Sequence, residues 1–149
     1  MIKTIFEERL ISCYLDDSIP VLTHRWKSHA TAEKFRAILI QLSETFKELK
    51  QEYPDLTWAG DTTNLGALSL ETQGWLKENW TPILIEAGVK YHALIVPKDV
   101  FAKFAMNKFK DNLTHHHKKE IILQQFPDED TANEWLRSCL VAQQVSQLK

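Results

Sequence analysis

Glycine is scarce in this chain, with only four residues, and neither a GxGxxG fingerprint nor a phosphate-binding P-loop is present. A nucleotide cradle needs glycine where backbone amides approach phosphates, so that class of site is unsupported. Cysteine is scarcer still. Cys13 and Cys139 are the only two, without the spacing of a metal or redox motif. They read as two buried, reduced thiols of a cytoplasmic protein. No segment approaches the roughly 20 apolar residues needed to span a bilayer. Met1 to Glu8 carries acids where a signal peptide needs an apolar run. Charge of one sign is lacking too: the formal net charge is −2, with no extended run of either sign. A nucleic-acid binder would show a basic face, and the densest basic stretch, His115 to Lys119, is short.

What remains is an ordinary globular composition. Apolar residues make up 44% and charged residues 26% of 149 positions. That is enough to bury a core and matches the size of one domain. No repeat or low-complexity tract divides it, so residues 1–149 read as a single domain with a polar tail from about 143 to 149.

Periodicity sets the expected elements. Ile11, Cys13 and Leu15 alternate onto one strand face, Asp16-Asp17-Ser18 reads as a turn, and Ile19 to Trp26 resumes as a strand. This predicts a β-hairpin, with Ile2 to Phe6 as an added edge strand. From about Thr31 to Glu52 the period becomes helical: Phe35, Ile38, Leu39, Leu42, Phe46 and Leu49 form one stripe. Leu56 to Gly60 is a short apolar strand. Ser69 fits a helix N-cap, and Leu76, Trp80, Ile83, Leu84 and Ala87 continue a second stripe. Pro82 predicts a kink or a new short helix, because proline removes a donor and disfavours helix at Thr81. Gly88 is placed as the stop. Tyr91 to Val96 is a central strand, Asp99 to Lys110 a helix, Glu120 to Phe126 the last strand, and a helix follows Pro127 with Ala132, Leu136, Cys139 and Leu140 inside. Asp99 and Asp128 read as helix caps. The fold class is therefore α/β: a mixed sheet with an N-terminal antiparallel hairpin, then parallel β-α units.

In such sheets ligands gather at the carboxyl ends of the parallel strands. There the chain places Asp61-Thr62-Thr63-Asn64-Leu65-Gly66, a carboxylate, two hydroxyls, an amide and a glycine directly after a buried strand. Loops on a rigid scaffold often carry function. A hydroxyl here could accept a phosphoryl group, adding roughly −1.5 to −2 charge beside Asp61. The same residues also suit a plain turn, with Gly66 supplying an unusual φ. His115-His116-His117 does not complete a metal set, since only His115 and His117 could converge on one strand face. No catalytic triad forms around His24, His29 and His92, and an enzyme using Asp61 or Asp99 lacks a paired base or nucleophile. No cofactor is expected.

At this loop the chain resembles the STAS family, the anti-sigma-factor-antagonist domains, whose motif is Asp-Ser-Ser-Gly-Leu-Gly. The order of elements is similar over nearly the whole chain. It looks closest to a group of uncharacterised bacterial STAS-like proteins, through Asp61 to Asn64, through Trp75, Trp80 and Pro82, and through Leu94 to Phe101. Asn64 stands where the better-known members have glycine, and Thr63 where the closer group has arginine. The resemblance implies a non-enzymatic signalling module that binds a protein partner. It also implies phosphorylation of the hydroxyl after the aspartate, Thr62 by position, with Thr63 beside it. Asp61, Asn64, Leu65, Gly66 and Trp75 are then the candidate interaction residues, and a homodimer is left open. The alternative is a small-molecule or lipid-binding module, with an apolar cavity under the helix from Trp75 to Leu84.

Overall fold

The computed structural model describes residues 1–102 and 121–147. Six strands form one sheet in the order of the chain: β1 (Ile2–Glu7), β2 (Ile11–Asp16), β3 (Val21–Trp26), β4 (Thr57–Asp61), β5 (Tyr91–Ile95) and β6 (Ile122–Phe126). β1, β2 and β3 pair antiparallel; β3 through β6 pair parallel. The architecture is thus the expected mixed α/β sheet led by a hairpin.

Helix α1 (Ala32–Glu52) crosses from β3 to β4. Thr31 caps it, its Oγ1 accepting from the Lys34 amide at 3.3 Å. The expected stripe faces inward: Phe35, Ile38, Leu39, Leu42 and Phe46 are buried. A side chain such as Phe46, fully buried here, contributes about 1.5–3 kcal/mol by leaving water.

The crossover from β4 to β5 is a loop followed by an unbroken helical run: α2 (Leu70–Trp75), a π-helical turn (Leu76–Trp80) and α3 (Thr81–Ala87). Ser69 caps its start, Oγ accepting from the Thr72 amide at 3.1 Å. As expected, a new short helix begins at Thr81, with Pro82 in its first turn. Thr81 is right-handed helical despite preceding proline. The wide turn accommodates the missing donor and the ring, a usual role of π-bulges. Gly88 ends the helix at φ +93°, a left-handed stop that favours glycine.

Helix α4 (Glu129–Gln147) lies on the opposite face of the sheet. Ala132, Leu136 and Leu140 are buried there with Val21, Ala59, Ala93 and Ile95. Cys139 is only half-buried, not buried as expected, whereas Cys13 is sealed inside. The helix also runs on to Gln147, into the stretch read as a polar tail. Asp128 does cap it, accepting from the Thr131 amide at 2.8 Å. Asp99 is no cap: residues 98–102 are helical and the Pro97 carbonyl accepts from the Phe101 amide at 2.9 Å. The rest of the helix expected to Lys110 falls outside the described residues. No described helix is long and apolar enough to cross a membrane.

The larger core lies between the sheet and α1 with α2–α3. Its centre is aromatic. Trp58 on β4 meets Phe46, Trp80 and His24 at ring-centroid distances of 5.6, 5.9 and 4.9 Å, and Trp26 stacks on Phe35 at 4.9 Å.

Candidate functional site

The carboxyl end of β4 delivers Asp61 and the loop after it. Strand alternation divides these residues between the two faces of the sheet. Asp61 points with Ala59 toward α4, and its side chain is held twice. Oδ1 accepts from the Thr63 amide at 3.0 Å and from Thr63 Oγ1 at 2.7 Å. This is an aspartate turn of the kind short polar side chains make. Oδ2 accepts from Arg25 Nε at 3.2 Å, across the β3–β4 register that pairs Arg25 with Asp61.

Arg25 extends the network to α4. Its Nη2 donates to Tyr14 Oη and to Glu129 Oε1, both at 2.9 Å, and Tyr14 Oη donates to Glu129 Oε1 at 2.6 Å. Burial and the neighbouring Glu129 carboxylate push the Tyr14 phenol well above its ordinary range. Tyr14 therefore stays protonated as the donor. One guanidinium thus ties the candidate loop to β2, β3 and the first turn of α4.

The rest of the loop is anchored on other elements. The Thr62 amide and Oγ1 both donate to the Ile95 carbonyl at 2.8 Å. The Leu65 amide donates to the Thr62 carbonyl at 3.1 Å, and Leu65 itself is buried. His29 Nδ1 lies 3.1 Å from the Leu65 carbonyl. Gly66 turns the chain at φ +80°, the unusual conformation expected of it. Thr63 and Asn64 are exposed, and Thr62 is half-buried.

Behind the loop, on the α1 face of the sheet, is a cavity of about 310 Å³. Thr62, Leu65 and Gly66 form one wall; Trp26, Trp58 and Trp80 form others. His24 and His92 also line it. His24 is 4% exposed, and its Nδ1 has no hydrogen-bond partner. Burial, with His92 adding to it, pushes the His24 imidazole down to about 3, and burial pushes His92 down to about 4. Both rings are therefore neutral at ordinary pH. Gly60 makes room for His24. A Cβ there would lie 2.7 Å from His24 Nε2, so only glycine lets the ring lie across β4. A larger cleft of about 500 Å³ opens at the other end of the sheet, beside Lys50, Asp55 and Lys90. Its polar groups already bond one another: Lys50 Nζ to the Pro54 carbonyl and Lys90 Nζ to Gln143. The smaller cavity, at the strands' carboxyl ends beside the loop, is the stronger candidate.

The structure keeps Asp61 to Gly66 together as one hydrogen-bonded turn. Trp75 joins the aromatic cluster, half-buried with its ring 6.0 Å from that of Trp80. Sequence reading missed Arg25, Tyr14 and Glu129, which come together only through strand register. It also treated His24 and His92 as scattered, although they share a cavity. A glycine inside a strand marks close approach, and Gly60 was the signal for that. Among the described residues no group of three or more His, Cys, Asp or Glu is placed to hold a metal ion. His115, His116 and His117 lie outside them. Compared with models of known families, curated proteins and solved structures, the chain matches none.

Proposed function

We propose that this chain is a non-enzymatic regulatory module that engages a protein partner through the Asp61 to Gly66 loop, switched by phosphorylation on that loop. The observation that carries this reading is the division of labour within the turn. Its flanks are anchored, while Thr63 and Asn64 alone present polar side chains outward from a fixed backbone. A preformed loop loses little entropy on docking. Asp61 is committed to Arg25 and Thr63, which leaves it poorly placed as a general base.

Exposure favours Thr63 as the modified residue, although the motif position points to Thr62. The Thr62 hydroxyl is half-buried and spent on the Ile95 carbonyl. A phosphoryl group on Thr63 Oγ1 would abolish the hydroxyl's donation to Asp61 and set roughly −1.5 to −2 charge against that carboxylate. Arg25, already within reach of Asp61, would be drawn to the new anion.

The test is phosphosite mapping of the protein isolated from its own cells, beside a Thr63→Ala variant. Phosphate on residue 63 that the variant lacks supports the switch. Phosphate on neither threonine under any growth condition overturns it.

A further inference from the structure

We infer that the cleft at the amino ends of the parallel strands is a binding site for a small phosphate monoester, its phosphate held between Lys50 and Lys90 and its organic part lying on Leu56 and Leu140. This site stands apart from the Asp61 to Gly66 loop and does not depend on the partner-docking reading.

Two lysines line this cleft without a bonded counter-charge. Lys50 comes from the last turn of α1 and Lys90 directly precedes β5. Among the described residues neither ammonium makes a salt bridge. Lys50 Nζ donates to the Pro54 carbonyl at 2.9 Å, and Lys90 Nζ to Gln143 Oε1 at 3.2 Å. Both acceptors are neutral. An ammonium carries three donors, so each lysine has donors left for a ligand.

The two charges feel each other. Burial, with the Lys90 charge adding to it, holds Lys50 below its ordinary range, while Asp55 acts the other way. Asp55 itself accepts from Gln143 Nε2 at 3.4 Å. One carboxylate beside two ammonium groups leaves the cleft net positive. An anion between the lysines relieves their repulsion. A phosphate monoester brings roughly −1.5 to −2 charge, enough to answer both lysines.

Both side chains are positioned in advance. Lys50 Nζ lies over the Phe46 ring, 5.9 Å from its centroid, and the Lys50 stem passes Gly88, where a Cβ would sit 2.9 Å from Cδ. Lys90 Nζ lies over the Tyr91 ring, 5.3 Å from its centroid. Groups already in place lose less freedom on binding.

The cleft is about 500 Å³, within the range of small-molecule sites and more than a bare phosphate fills. Leu56, Tyr91 and Leu140, all buried, line it with Pro54. Those surfaces select a ligand with an organic part beyond its phosphate. A cation would meet two like charges, and a neutral molecule would leave them unanswered.

The experiment is calorimetric titration of the full chain at low salt with phenyl phosphate, inorganic phosphate, benzoate and benzylamine. Phenyl phosphate is expected to bind about tenfold more tightly than inorganic phosphate or benzoate, and benzylamine not at all. Lys50→Gln and Lys90→Gln are each expected to weaken phenyl phosphate about tenfold, the worth of one charge-assisted hydrogen bond. Lys47→Gln, on α1 but outside the cleft, is expected to change nothing. Should Lys50→Gln fail to fold, Lys90→Gln, at an exposed position, carries the comparison. Benzylamine binding as well as phenyl phosphate would overturn the proposal. So would no saturable binding, or equal losses in the Lys47 and Lys90 variants. Inorganic phosphate binding as tightly as phenyl phosphate would mean an adventitious ion only, which overturns it too. Thr63→Ala is expected to leave phenyl phosphate binding intact, so failure of the phosphoswitch and failure of this site are told apart.

Discussion

Acid should loosen this fold well before its carboxylates protonate, because of His24. An unfolded histidine takes up a proton near pH 6.5, whereas burial holds the folded His24 neutral down to about pH 3. Between those values the unfolded state binds more protons than the folded one. Stability is therefore full above the unfolded pKa and falls as the pH drops through this window. With one pKa unit equal to about 1.36 kcal/mol, moving from pH 7 to pH 5 removes about 2 kcal/mol through His24 alone. His92 shifts in the same direction but is half-buried and adds less. The lowered carboxyls of Glu7, Asp17 and Asp128 begin to matter only below their unfolded values of 4.5, 3.8 and 3.8, under the range from pH 7 to pH 5. The assay is urea unfolding at pH 7, 6 and 5, read by tryptophan fluorescence, on wild type and on His24→Leu. Wild type should lose stability with each step, and the variant should lose markedly less. Equal slopes in the two proteins would refute the claim that a neutral, buried His24 controls them.

Other substitutions probe separate joints. Thr31→Ala removes the cap on the Lys34 amide and should cost about 1 kcal/mol in urea unfolding. Gly88→Ala puts a Cβ into a backbone at φ +93°, 2.9 Å from Lys50 Cδ. It should cost about 1–2 kcal/mol, nearly all from the left-handed conformation because the lysine can swing aside. Arg25→Ala leaves Asp61, 8% exposed, without its cation. About 1–2 kcal/mol is expected, since the Arg25 side chain is itself 46% exposed and solvent screens the pair. Arg25→Lys should rescue little in the same assay, because an ammonium cannot serve Asp61 and Glu129 with separate nitrogens.

Local chemistry made much of this fold readable. The spacing from Phe35 to Phe46, the alternation of Ile11, Cys13 and Leu15, and the stops at Ser69 and Gly88 each reflect a rule that acts within a few residues. Pro82 marked the start of the new short helix at Thr81; the π-helical turn that joins it to α2 had no local signal. Asp99 misled because an acid in a first turn serves the helix dipole without capping it. The site was half legible. Asp61 to Gly66 stands out as a string of turn formers, but Arg25 is 36 positions from Asp61 and 104 from Glu129. No sequence window contains both. The cavity depends equally on register, which sets His24 beside Gly60 and Trp58 beside His92.

That register also explains why one short loop touches both faces of the sheet. Asp61 is the last β4 residue directed toward α4, and Arg25 holds it there against Glu129. Thr62 bonds the edge of β5, and Leu65 fills the cavity wall on the other side. Thr63 sits between these anchors, bonded to Asp61 and open to water. A loop fixed on so many elements cannot shift one residue alone. A negative group on Thr63 would break the aspartate turn, and the strain would pass through Thr62 to the wall formed by Leu65. A flexible loop would absorb such an event locally. Anchoring is therefore what would let a charge on Thr63 be felt at β3, β5 and α4 together.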